Sequence, residues 1–124
     1  MKTSRVSDIK RAQKESVLLH EISGYFLRIT LDDPRLKDLT INRVKLSKDK
    51  SRCTIFFFCP QGKKQFDELL RTLILYKPSM RKALADSIRS RYTPELIFTY
   101  DEAFERQLSM DALFDRIKKE DGTH

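Results

Sequence analysis

Apolar residues along this chain fall into runs of two different periods, and the changes of period mark out its elements. Val6, Ile9, Leu18 and Ile22 stand near helical multiples while Lys10, Arg11 and Lys14 take the other faces. That spacing predicts a helix over residues 5–22, with a weak middle at Gln13 and Ser16. Gly24 is the expected stop. The stretch GYFLRITL that follows is apolar enough to pack but too short to classify, and either extends the helix or forms a strand-like connector. DDPRL then breaks the chain, because Pro34 restricts Asp33 to extended conformations.

In LTINRVKLS, Leu39 and Ile41 change phase before Val44 and Leu46, a one-residue slip of the kind a β-bulge produces. SKDKS supplies a turn, so SRCTIFFFC is read as the antiparallel partner, with Cys53, Ile55 and Phe57 on one face and Thr54, Phe56 and Phe58 on the other. PQG leads into a helix, KQFDELLRTLILY, whose stripe is Phe66, Leu69, Leu70, Leu73 and Ile74. At Lys77-Pro78-Ser79 that helix must break or kink. A second helical segment carries Met80, Leu84 and Ile88, and in RYTPELIFTYD the residues Leu96, Phe98 and Tyr100 alternate with Ile97 and Thr99 as a strand against a core. The last segment, AFERQLSMDALFDRIKK, reads as an amphipathic tail with Leu108, Leu113, Phe114 and Ile117 inward. The order α-β-β-α-α-β with a helical tail predicts an α+β two-layer sandwich. It is a single domain over 1–124, with its core at about 5–101 and its tail at about 102–119.

Charge changes this picture more than composition does. The net charge is +7, unevenly spread. From Asp101 onward, Asp101, Glu102, Glu105, Asp111, Asp115, Glu120 and Asp121 stand against Arg106, Arg116, Lys118 and Lys119, a net of −3 that leaves +10 on the first 100 residues. So basic a small domain is biased toward a polyanion. No apolar run reaches the length of a membrane span and MKTSRVSDIK has no apolar signal region, so a cytoplasmic location without a membrane partner is expected. Cys53 and Cys59 lack metal-ligand spacing and are expected to be buried thiols, with neither metal nor cofactor. Neither histidine sits in a recognisable catalytic motif and there is no glycine-rich phosphate loop, so an enzyme is not expected. The adjacent carboxylates Asp32 and Asp33 are the remaining catalytic candidates, and Asp33 before proline is better suited to capping a turn.

Four pieces together, a basic first helix with LLHEI, then DDPRL, VKLSKDKS and RSRYTPELIFTYD, resemble the bacterial ribosome-binding factor A family over nearly the whole chain. DPRL and TPELIFTYD lie far apart yet keep the family's order. The resemblance implies a type II KH-like fold. It also implies non-catalytic docking on the small ribosomal subunit and its precursor rRNA, a part in late rRNA maturation, and an association with cold adaptation. No small-molecule substrate and a monomeric state are expected. Two departures stand out: Gly24 to Asp32 are interposed before DPRL, as an altered first helix or an added loop, and Tyr76-Lys77-Pro78 replaces the family's small-residue kink, Ala-x-Gly.

KH domains ordinarily clamp nucleotides through a GXXG loop, and none occurs here, so recognition should rest on charge and shape. The first RNA-binding candidates are Lys77, Arg81, Lys82, Arg89 and Arg91, opposed in their segment only by Asp86. Lys10, Arg11 and Lys14 offer a second patch, and Lys45, Lys48, Lys50 and Arg52 a third, where lysines could equally serve to block strand pairing. Phe56 and Phe58, with Ile97, would stack on bases or dock a protein if the tail or GYFLRITL left them uncovered, and covered rings are the expectation. The alternative to RNA binding is a KH-like protein-interaction module.

Overall fold

In the computed structural model, which describes residues 2–88 and 92–122, helix α1 (Lys2–Asp32) runs through Gly24 rather than ending there. GYFLRITL is therefore its C-terminal part, not a connector or an added loop. Its extension buries Phe26 and Ile29, worth roughly 1.5–3 kcal/mol each, against about 1 kcal/mol for a glycine inside a helix. The buried stripe is Leu18, Ile22, Phe26 and Ile29, whereas Val6 and Ile9, expected on it, are about half exposed. The reason is length. A helix of 31 residues spans about 46 Å, roughly twice the reach of the seven-residue strands beneath it. Glu15 marks where support ends, its carboxylate accepting the amide of Leu46 at 2.6 Å.

Pro34 enforces the stop. Asp33 takes φ −127° and ψ 90°, its amide donating to the Ile29 carbonyl at 2.8 Å. Its carboxylate caps the 3₁₀ turn Pro34–Leu36 through the Arg35 amide. The same carboxylate accepts Arg35 Nε at 2.8 Å, Arg35 Nη2 at 2.7 Å and the Tyr76 hydroxyl at 2.7 Å. These bonds occupy it as a structural anchor.

Strands β1 (Thr40–Leu46) and β2 (Arg52–Phe58) form an antiparallel hairpin, and β3 (Glu95–Tyr100) lies parallel to β2, giving the order β1-β2-β3. A parallel neighbour needs a crossover, here made by α2 (Lys63–Leu75) and α3 (Lys77–Ile88). One sheet face, with Val44, Leu46, Ile55, Phe57, Leu96, Phe98 and Tyr100, is buried, with Cys53 and Cys59 as free thiols in the same core. Burial pushes the Cys53 thiol up to about 11, which suits an inert core residue. Gly62 precedes α2 at φ 87°, a conformation that favours glycine. On α2, Phe66 and Leu73 are buried while Ile74, expected on the stripe, is exposed.

The bulge foreseen from the phase change lies between Ile41 and Arg43. It aims both Asn42 and Arg43 at Asp101, the buried residue after β3: Nδ2 of Asn42 lies at 3.4 Å, and Arg43 binds at 3.1 and 3.3 Å. Asp101 also caps α4 (Glu102–Gly122) by accepting the Phe104 amide at 3.1 Å. On its way to Asp101 the Arg43 guanidinium lies 3.8 Å over the Phe56 ring, and Phe58 packs against Tyr100 and Phe104. Both outer-face rings are thus engaged, Phe58 by the start of the tail and Phe56 by an arginine. Beyond that start the expectation for the tail fails: Leu108, Leu113, Phe114 and Ile117 are all exposed. The cap at Asp101 fixes where the helix begins, and the apolar residues past that start stay exposed.

Three measurements test this description. A methyl group at Gly24 would meet open space, so Gly24→Ala should raise stability by about 1 kcal/mol in denaturant unfolding. Leu113→Glu with Phe114→Lys should leave stability within about 0.5 kcal/mol of wild type, since neither side chain is buried. The third concerns acid. Hydrogen bonds from Arg35 and then Tyr76 hold the Asp33 carboxyl well below the usual carboxylate range. At Asp101 burial acts upward, but Arg43, the Phe104 amide and Asn42 outweigh it and the net shift is downward. Depressed carboxyls stabilise above their unfolded value, near 4, and that stability is lost as pH falls. The unfolding temperature followed by circular dichroism should drop from about pH 5 to pH 2, and Asp33→Asn should start lower at neutral pH and decline less steeply.

Candidate nucleic-acid interface

The join between α2 and α3 is a single residue, Tyr76, with φ −89° and ψ −7°. Its hydroxyl is held by Asp33 at 2.7 Å and its carbonyl accepts the Met80 amide at 2.9 Å. Pro78 falls in the first turn of α3, where an amide hydrogen would have no helical partner, so it begins a new helix instead of bending an old one. Met80 and Leu84 then face the core, Ile88 packs against it, and Arg81 and Lys82 are left exposed.

The sheet register decides where the charges gather. Leu46, Cys53 and Leu96 form one row across the three strands. At that end of the sheet the hairpin turn carries Lys48 and Lys50, flanked by Lys45 and Arg52. Glu95 donates its amide to the Ser51 carbonyl at 2.8 Å, which brings the approach to β3 alongside the turn. Arg81 reaches the same approach, Nη2 donating to the Thr93 carbonyl at 3.4 Å. Because Glu15 meets Leu46, the last residue of β1, the preceding turns of α1 with Lys10, Arg11 and Lys14 overhang this end as well. Three patches far apart in sequence thus converge.

They are not equally free. Arg11 is paired with Asp8 at 3.0 Å. Asp49, inside the turn, is held down to about 2 by the hydroxyls of Ser47 and Ser51, so it stays ionised among the lysines. Lys50 adopts φ 61°, a left-handed conformation that completes the turn. Among the described residues neither Arg81 nor Lys82 is ion-paired. Lys77 stands apart, its ammonium turned inward 5.2 Å over the Phe98 ring. Arg89 and Arg91 lie outside the described residues.

The opposite end is different. There β1 begins and β3 finishes, and two cations are held in ion pairs, Arg43 by Asp101 and Lys63 by Glu102 at 3.5 Å, while Lys37 and Lys64 at the same end are in no ion pair among the described residues. Among the described residues the molecule is therefore richer in cations without ion pairs at its hairpin end. Arg11 is, among those residues, the one cation of the three patches at the hairpin end that is held in an ion pair. The sequence pattern did not single out Tyr92 and Thr93, which border Arg81 and Lys82 in a groove of about 510 Å³. The signal was available in the tyrosine at the head of RYTPEL, a large ring just ahead of the strand. Among the described residues, no group of acidic, histidine and cysteine side chains is arranged to hold a metal, and no helix is long and apolar enough to cross a membrane.

Residues 10–114 match the family model described as ribosome-binding factor A. A ribosome-binding factor A of Geobacter metallireducens is 34% identical over 113 residues, covering 91% of this chain and 96% of that protein. The crystal structure of ribosome-binding factor A from Thermus thermophilus superposes with a TM-score of 0.62 at 30% identity, over 73% of this chain and 93% of the other. A homology model of the Thermus thermophilus factor, as fitted into the cryo-EM map of its complex with the 30S subunit, matches with a TM-score of 0.52 at 32% identity, over 75% of this chain and 92% of the other.

Proposed function

The chain belongs to the ribosome-binding factor A family, and on that premise we propose that it is a maturation factor for the small ribosomal subunit, docking its basic end on precursor rRNA without making or breaking a bond. The KH-like α+β fold is the scaffold; the observation that carries the reading is the meeting of α1, the hairpin and α3 at one cationic end, where Arg81 and Lys82 have no ion-pair partner among the described residues. Cations presented so by a rigid sheet neutralise phosphates and release counterions. Lacking a GXXG loop, the domain grips shape and charge, and it holds one local arrangement of the RNA until maturation proceeds. A monomer in the cytoplasm suffices for this role, and stabilising a local RNA arrangement would matter most at low temperature, where misfolded RNA escapes slowly.

A second reading, a KH-like module that binds protein, is favoured by one feature: the exposed apolar residues of α4. Sedimentation with purified small subunits separates the two. Co-migration at about 50 mM salt that is lost by about 200 mM supports RNA docking; no co-migration at low salt overturns it. Charge reversal to glutamate at Arg81, Lys82, Arg89 and Arg91 should abolish co-migration while leaving the thermal unfolding curve of the domain in place. Unchanged affinity would move the interface elsewhere.

A further inference from the structure

The turn joining β1 to β2 is tied down from within and from β3. The Ser47 amide donates to the Arg52 carbonyl and the Lys50 amide to the Ser47 carbonyl, each at 2.9 Å. One carboxylate oxygen, Oδ1 of Asp49, accepts three bonds: the hydroxyls of Ser47 and Ser51 at 2.7 Å and the Ser51 amide at 3.1 Å. The Ser47 hydroxyl oxygen accepts the Arg52 amide at 3.0 Å. Glu95 donates its amide to the Ser51 carbonyl at 2.8 Å, which fastens the turn to the approach of β3. Lys48 and Lys50 ride on this frame, both exposed and neither ion-paired among the described residues. Lys50 takes φ 61°, where glycine or asparagine would sit with less strain, and what the lysine brings in exchange is its charge.

Cations on a fixed backbone lose less freedom on binding than cations on a loose one. That gain is realised only on a partner whose phosphates are also fixed. A paired RNA helix is such a partner, its A-form backbone presenting phosphates in a regular array beside the shallow minor groove. A single strand adapts to a loose turn as readily as to a fixed one. Resting on the reading above, we propose that this turn is a preformed contact for the backbone of a paired RNA helix, with Lys48 and Lys50 on its phosphates and Asp49 as the positioning residue that fixes their spacing. An acid in the middle of a basic turn then strengthens phosphate binding through geometry although its charge opposes it.

Two substitutions at Asp49 separate geometry from charge. Asp49→Asn and Asp49→Ala remove the same charge, but asparagine keeps a side-chain oxygen for the three bonds and alanine keeps none. Binding is read by fluorescence anisotropy with a labelled RNA duplex and a labelled oligouridine of matched phosphate number. Asp49→Asn should bind the duplex at least as tightly as wild type. Asp49→Ala should bind it about fivefold more weakly than Asp49→Asn, the factor set by ordering one long side chain, while the two bind oligouridine alike. Ser47→Ala with Ser51→Ala, which leaves every charge in place, should also weaken binding of the duplex and not of oligouridine. This pair decides the matter if circular dichroism shows that Asp49→Ala does not fold. Lys48→Gln with Lys50→Asn should weaken duplex binding and lower its salt slope by about two. The proposal is overturned if Asp49→Ala and Asp49→Asn bind the duplex alike, if the turn variants lose oligouridine as much as duplex, or if the double lysine variant keeps wild-type affinity. Any of these results with a chain that still co-sediments with small subunits removes the role of the turn alone, while loss of co-sedimentation removes the wider reading.

Discussion

Three aromatic rings close on Phe57, and the arrangement of the whole domain follows from that contact. Phe26 of α1 and Phe98 of β3 meet it edge-on with centroids at 5.5 Å, and Phe66 of α2 lies at 6.0 Å. Phe57 itself is fully buried. Each contact comes from a different element, so each adds ring-to-ring attraction to area burial and also ties one element to the central strand. Moving β3 by one residue would turn Phe98 to the opposite face and take one of the three rings out of this cluster. The register of the sheet is thereby set from its middle.

Register in turn sorts the charges. With Leu46, Cys53 and Leu96 in one row, the hairpin turn and the approach to β3 must share an end of the molecule. α1 lies across the sheet with Glu15 over Leu46, so its basic turns overhang that same end. At the other end Asp101 takes up Arg43 and Asn42, closes the outer face over Phe56, and starts α4. One end holds Arg43 and Lys63 in internal pairs, while among the described residues most cations of the other end are in none. This division is physically sensible for the proposed docking role: the basic end gains rigidity from bonds it does not itself supply.

Much of this was legible from residue order. The bulge showed itself because a period of two cannot change phase inside a strand without an extra residue, and Asn42 is that residue. The Asp33 cap was legible because proline leaves the preceding residue few conformations. Gly24 misled for the opposite reason: its local preference is weak, and the burial of Phe26 and Ile29 farther along outweighed it. The α4 stripe misled because amphipathic spacing states that a face can pack, not that a surface is there to receive it. Of the site, the individual cations were readable as charge, but Tyr92 was not singled out, because nothing local distinguishes a ring in a core from a ring over a groove.

By itself the sequence determined the elements, their order and the faces they present, since periodicity, proline and turn residues act within a few positions along the chain. It also determined that the domain would be strongly basic. Only the tertiary structure decided that Lys10, Lys48 and Arg81 stand at one end, that Lys77 turns inward to Phe98, and that Asp101 withholds Arg43 from a partner. Those outcomes depend on which strands lie side by side and in what register, and that is settled by contacts between residues dozens of positions apart, which no local pattern encodes.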